Sequence, residues 1–297
     1  MQHPSASVRS AVTILIVIAA ILIIVFEPLI VKGVMPKLIA NQQARIEQFS
    51  ASDDPELQLK AKLIGKTPEH VSWAYPLWMA LGVFAGIVVL VIARDFYEGK
   101  MWARGLALLA FAMPAMGAAY MFVPWINFVH EGFPTVVIIA LLGLVPYFTI
   151  LLAEKADGAQ KTINAIVFLF LGVQGAHSFT NGFASMRFQW MHPGRPAWPG
   201  NLWGTWLGTQ VMWLGTICVI LSILYLGMRK RSGWYLALIG GGTTMVANYY
   251  THIVRGTTSD YILGGTFGLI IVVLMLIPAI RDRLYDETEP EAAPAGV

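Results

Sequence analysis

Charge is scarce in this sequence: Asp, Glu, Lys and Arg make up 12% of its 297 residues, against 57% hydrophobic residues. An ordinary soluble domain carries about a quarter charged residues, so the composition excludes one water-soluble globule. Cysteine is scarcer still. Cys218 stands alone, which excludes an intramolecular disulfide and any thiolate-clustered metal centre. No HExxH or CxxCH spacing occurs, so no zinc-protease or covalent-haem motif is present, and no GxSG supports membrane proteolysis. Gly240, Gly241 and Gly242 lack the following Lys and Ser or Thr of a phosphate loop; in an apolar helix they signify close backbone approach or a local kink. The formal net charge of +3 is spread over short connections and points to no nucleic-acid partner.

Apolar runs dominate instead, and mean hydropathy is +0.64. Runs of roughly 20 residues match the length a helix needs to cross about 30 Å of hydrocarbon. The runs predict membrane helices over residues 11–33, 73–94, 105–126, 134–154, 163–184, 204–227, 234–254 and 261–281. The first is too long for a typical signal-peptide core and no small-residue cleavage site follows it. Trp73, Trp78, Trp125, Trp203, Trp206, Trp234 and Tyr235 fall near the ends of these runs, where amphipathic rings favour the headgroup level. The expected fold is an all-α integral membrane bundle of about eight transmembrane helices. One transmembrane domain covers 1–285, and 286–297 form an acidic tail with Glu287, Glu289 and Glu291.

Short basic connections set the orientation. Arg94, Lys100 and Arg104, then Lys155 and Lys161, then Arg229, Lys230 and Arg231, then Arg281 and Arg283 all fall on one side with Arg9. That side is expected to be cytoplasmic, with both termini there and the chain in the cell inner membrane. On the outer side, Asp54, Pro55 and Glu56 spell a helix start and Gly65 a stop, giving a short amphipathic helix within 34–72. A Trp- and Pro-rich outer loop over 187–203 suits a pocket cap or a partner subunit.

Polar side chains inside hydrocarbon need a partner or a wet cavity, so their placement is the best guide to function. Gln174, His177, Ser178 and Asn181 share one helical face at i, i+3, i+4 and i+7. Thr244, Asn248, Thr251, His252 and Arg255 share another. Counting ~1.5 Å per residue puts His177 about 21 Å and His252 about 27 Å from their inner ends, both in the outer half. Gln210 and Glu27, the latter followed by Pro28, belong to the same layer, and His70, His130 with Glu131, and His192 are placed in or beside outer segments. Pro114 and Pro146 lie within membrane runs, where they open space in a bundle. Asp260 reads as the cap of the last helix, with Arg255 in reach.

These stripes allow two meanings. Ser, Thr, Asn, Gln and His often hydrogen-bond across membrane helices with no ligand involved. Alternatively, the runs 163–184, 204–227 and 234–254, with Glu27 nearby, wall an outward-facing pocket. Its cofactor-binding candidates are His177, His252, Gln174, Asn181, Asn248 and Gln210; its metal candidates are His177, His252 and Glu27. Imidazole suits haem iron and other transition metals. His and Gln donors with Trp and Met around them suit a quinone. The leading expectation is an integral subunit of a larger redox-linked complex serving electron transport, with the lipid bilayer and other membrane subunits as partners, whose pocket holds a metal, haem or quinone. An independent transporter or channel for a small polar solute or protons is the alternative, using Glu27, His177, His252 and Arg255, although no inverted repeat accompanies it. A purely structural membrane subunit is the third reading.

Overall fold

Uninterrupted apolar runs can satisfy their backbone groups in lipid only as helices or closed barrels. The structure, a computed structural model, describes residues 5–129, 132–191, 202–255 and 259–285, and these are helical with no strand among them. The described helices are α1 (Ala6–Ser50), α2 (Pro55–Ile64), α3 (Thr67–Tyr97), α4 (Met101–Phe128), α5 (Val136–Leu152), α6 (Gly158–Met191), α7 (Leu202–Gly227), α8 (Arg231–Arg255), α9 (Asp260–Leu276) and α10 (Pro278–Leu284). Five helices among the described residues are long and apolar enough to cross a membrane, or six if the bent pair α9–α10 is one span. Several long apolar helices of this kind are the mark of a membrane protein.

Each of the eight apolar segments is helical, but two boundaries differ from expectation. The first segment was expected to end near residue 33, whereas α1 continues through Pro28 and Pro36 to Ser50. Good helix formers fill residues 37–48, and the extension is held by tertiary contacts. Asn41 donates to the Phe128 carbonyl at 3.1 Å and Arg45 to the Asn127 carbonyl at 2.9 Å. These are last-turn carbonyls of α4, which have no partner within their own helix. The last segment was expected to be one helix over 261–281. It breaks at Ile277, which is extended (φ −74°, ψ 115°) because Pro278 follows, and the chain turns by 83° into α10.

The short helix expected after Asp54 forms: the Asp54 side chain accepts from the Glu56 backbone N–H at 2.8 Å, and Gly65 follows its end. Trp73, Trp206 and Tyr235 are exposed near helix ends, but Trp78 and Trp125 turn inward and are buried. Gly240 and Gly241 allow the close approach expected of them. A Cβ on Gly240 would lie 2.8 Å from the Gly215 carbonyl, and one on Gly241 2.9 Å from Ile271. The 187–203 segment is helical up to Met191; 192–201, with His192, lie outside the described residues, as do His3, His130, Glu131 and the tail from 286.

The helices pack in two groups, α1 with α3, α4 and α5, and α6 with α7, α8 and α9, joined where α4 meets α6 and α7. At one end the basic connections converge. Arg104 pairs with Glu154 at 2.7 Å and donates to the Gly227 carbonyl. Gln160 and Arg229 both donate to the Arg283 carbonyl, and Arg283 reaches Asp157. The opposite end carries the α1 extension, α2, the α4 C-terminus and the start of α9.

Candidate functional site

The two expected polar stripes do meet, and where they meet they close a seam. The Gln174 Nε2 donates to Thr244 Oγ1 at 2.7 Å and to the Gly264 carbonyl at 3.1 Å. Asn181 Nδ2 donates to Asn248 Oδ1 at 2.8 Å and to the Asp260 carbonyl at 3.1 Å. Asn248 in turn donates to Ser178 Oγ and to the Thr244 carbonyl. One turn outward, Ser185 and Tyr261 share a hydrogen bond of 2.8 Å. Gly264 makes the seam possible, since a Cβ there would lie 2.5 Å from Asn248 Oδ1 and 2.9 Å from Asn181 Nδ2. Gln174, Ser178, Asn181, Ser185, Thr244, Asn248 and Thr251 are all at most 3% exposed. The buried Gln174 Oε1 has no partner. Gln174 and Asn248 are engaged in interhelical bonding, while Asn181 both joins the seam and borders a cavity.

The other expected site residues are distributed elsewhere. His177 lies one step around α6 from the seam; its Nε2 donates to the Asp260 carbonyl at 2.7 Å and its ring packs edge-on against Phe267 at 5.5 Å. With Nε2 carrying the proton, Nδ1 of the neutral ring is an acceptor. His252 is partly buried on α8, beside the buried Thr251. Gln210 is exposed on α7, while its neighbour Thr209 is buried. Asp260 sits in the first turn of α9 with Ser259 as the cap residue, and the Arg255 side chain lies outside the described residues.

Glu27 is fully buried between α1 and α3, with no hydrogen-bond partner on either carboxyl oxygen. Gly82 provides its space, because a Cβ there would fall inside the carboxyl group. The metal candidates therefore do not assemble: among the described residues no three His, Cys, Asp or Glu side chains could hold a metal ion together. His177 donates its Nε2 proton to the Asp260 carbonyl, and Glu27 lies against Gly82 of α3.

A cavity of about 590 Å³ lies on the other side of α6, walled by α1, α3, α4 and α6 rather than by α6, α7 and α8. From α6, Val173, His177, Thr180 and Ala184, at i, i+4, i+7 and i+11, line it together with Asn181 of the seam. Facing it are Gln42 and Arg45 from the α1 extension, His70 from the first turn of α3, and Tyr120 and Asn127 from α4. The His70 ring lies edge-on to Phe183 at 5.3 Å, and Tyr120 meets the same ring at 5.7 Å. Gln42 distinguishes this cavity from the seam. It is fully buried, and neither its Nε2 nor its Oε1 has a hydrogen-bond partner. A buried amide in this state costs about 1–3 kcal/mol unless something in the cavity satisfies it.

Sequence reasoning placed His70 near the outer face but missed Gln42, Arg45 and Asn127. A signal for Gln42 was present. Glu27, Val31, Val34, Leu38 and Gln42 follow one another at helical spacing on the buried face of α1, and that pattern becomes visible once the helix is carried past residue 33.

No protein-family model, no curated protein and no solved structure matches this chain.

Proposed function

We propose that this chain is an integral membrane subunit of a larger redox-linked complex, and that its outer cavity binds the head group of a quinone. It crosses the inner membrane eight times with both termini cytoplasmic, as one domain over 1–285 with an acidic tail over 286–297. The convergence of Arg104, Arg229 and Arg283 at one end supports this orientation through the bias of basic residues toward the cytoplasm. Leu59, Trp73 and Phe133, exposed at the opposite end, provide apolar contacts for a neighbouring subunit or headgroups.

The observation that carries the ligand reading is the unpartnered Gln42 amide in a cavity shared with His177 and His70. A quinone carbonyl is an acceptor for the Gln42 amide N–H, a quinol hydroxyl is a donor to the remaining nitrogen of His177 or His70, and the ring is flat enough to lie against Tyr120 and Phe183. The volume falls in the usual range for small-molecule sites, about 300–1,000 Å³. Against an independent proton carrier, the stretch of α1 between Glu27 and Gln42 presents buried Val31, Val34 and Leu38, which hold no polar group to relay a proton.

Mild-detergent purification from the native membrane, followed by organic extraction and mass spectrometry, tests this reading. It expects a quinone near one per chain, and added quinone raising the thermal midpoint of the extracted protein. Absence of any quinone together with no thermal response to an added one would overturn it.

A further inference from the structure

A second cavity, of about 310 Å³, runs between α4, α5 and α6. Its walls are apolar and built from Met116, Phe122, Ala140, Leu144, Phe148 and Gly172. The one hydroxyl along it, that of Tyr147, already donates to the Phe168 carbonyl at 3.0 Å. Pro114 and Pro146 fall in the helix segments that flank this slot, without breaking either helix.

Three features connect the slot to the outer cavity and to lipid. Ala119, Val173 and Ala176 line both spaces, so the polar cavity and the apolar slot adjoin, with only these small or medium side chains between them. The polar cavity uses α4 residues up to Phe128, whereas the slot uses Ala112 to Phe122, about 15 Å of helix running away from the outer end. Leu144 on α5 and Leu169 on α6 line the slot yet are 37% and 43% exposed, so its side opens on the outer surface of the bundle where these two helices touch little.

We propose that the slot receives the hydrocarbon chain of the same molecule whose head group occupies the outer cavity, the ligand being a membrane-borne amphiphile that enters sideways from lipid between α5 and α6. The inference rests on the reading of the outer cavity as a ligand site. Head outward and chain inward is also how an amphiphile already lies in the bilayer, so entry requires no reversal of the molecule. An apolar space of this shape loses contacts when empty, and a chain supplies them.

Chain-length dependence tests it on the purified full-length protein, titrated with a benzoquinone bearing a decyl chain and with the same benzoquinone bearing only a methyl group. Gly172→Leu is the plug variant. A Cβ on Gly172 meets nothing within 4 Å, so the new side chain enters the slot without displacing backbone. Ala140→Phe is the second plug, from the α5 wall, and thermal midpoints of both variants report folding. The expected result is decyl affinity roughly tenfold or more above methyl affinity in the unaltered protein. That advantage disappears in both plugs, while methyl affinity is unchanged. Equal affinity for the two probes in the unaltered protein overturns the inference and leaves the head-group site standing. So does a decyl advantage that survives both plugs, because the chain then lies along the outer lipid face. Binding of neither probe overturns the cavity reading and this inference with it.

Discussion

Helix α6 has two polar edges, and they have opposite characters. Toward α8 and α9, Gln174, Ser178 and Asn181 form a seam in which both amide nitrogens of α6 donate to other helices and Asn248 donates to Ser178. Toward α1, α3 and α4, one step around the same helix, His177 and Thr180 border a cavity lined in part by Gln42, whose buried amide has no partner. Both edges consist of residue types that are unusual in lipid. Residue type alone therefore does not separate adhesive from binding roles; what separates them is whether the facing element supplies complementary groups.

Substitutions should split along this line. The largest effect belongs to the seam: Gly264→Leu drives a side chain into the Asn248–Asn181 pair, and overpacking of this kind costs about 1–3 kcal/mol or more. It is expected to abolish or strongly lower the yield of folded protein, as measured by size-exclusion recovery and thermal midpoint. Asn248→Leu comes next. It leaves Asn181 with one acceptor of two, the Asp260 carbonyl, and Ser178 without its Asn248 donor, a loss of about 1–2 kcal/mol by reversible denaturant unfolding. Gln42→Leu carries the opposite sign. Removing a buried amide that has no partner is expected to stabilise the ligand-free protein by about 1 kcal/mol, and a destabilisation of that size would mean that the amide is structurally satisfied.

The smallest effect lies at the inner end and serves as a control outside both regions. Asp157 accepts the Gln160 backbone N–H at 2.6 Å and the Arg283 guanidinium at 3.1 Å, contacts that hold its pKa below the ordinary aspartate value. A lowered folded-state pKa contributes stability above the unfolded value, which is lost as pH falls through the folded one. Hydrogen exchange in α10, taken relative to the intrinsic amide rate at each pH, should therefore be unchanged between pH 7 and pH 5 and should rise only below the ordinary aspartate value of about 3.9. Asp157→Asn should abolish that acid-dependent rise.

The sequence carried the helices more completely than the site. Apolar length placed helices over the expected segments, and among the described residues five of these helices, or six with the bent pair, are long and apolar enough to cross a membrane. Their ends were less legible: Pro36 did not stop α1, because Asn41 and Arg45 anchor its continuation on α4, while Pro278 did break the last segment. Periodicity placed the α6 and α8 stripes on faces that do meet. It could not show that α9 would complete the seam through the Gly264 and Asp260 carbonyls, because backbone acceptors leave no trace in side-chain pattern. It also grouped His177 with Gln174 and Asn181; His177 and Asn181 do share the Asp260 carbonyl and the cavity, while Gln174 faces α8 and α9 alone. A spacing of three residues keeps side chains on one broad face, yet that face is wide enough to look at two different neighbours.

Affinity of the methyl benzoquinone for three proteins, unaltered, Gln42→Leu and Asn248→Leu, tests most directly that the cavity and not the seam is the binding region. Quenching of tryptophan fluorescence reports it, with Trp73 stacked 6.0 Å from Phe183 at the cavity edge. The account predicts roughly tenfold weaker binding in Gln42→Leu and unchanged binding in the folded fraction of Asn248→Leu. Unchanged binding in Gln42→Leu with a loss in Asn248→Leu would contradict it.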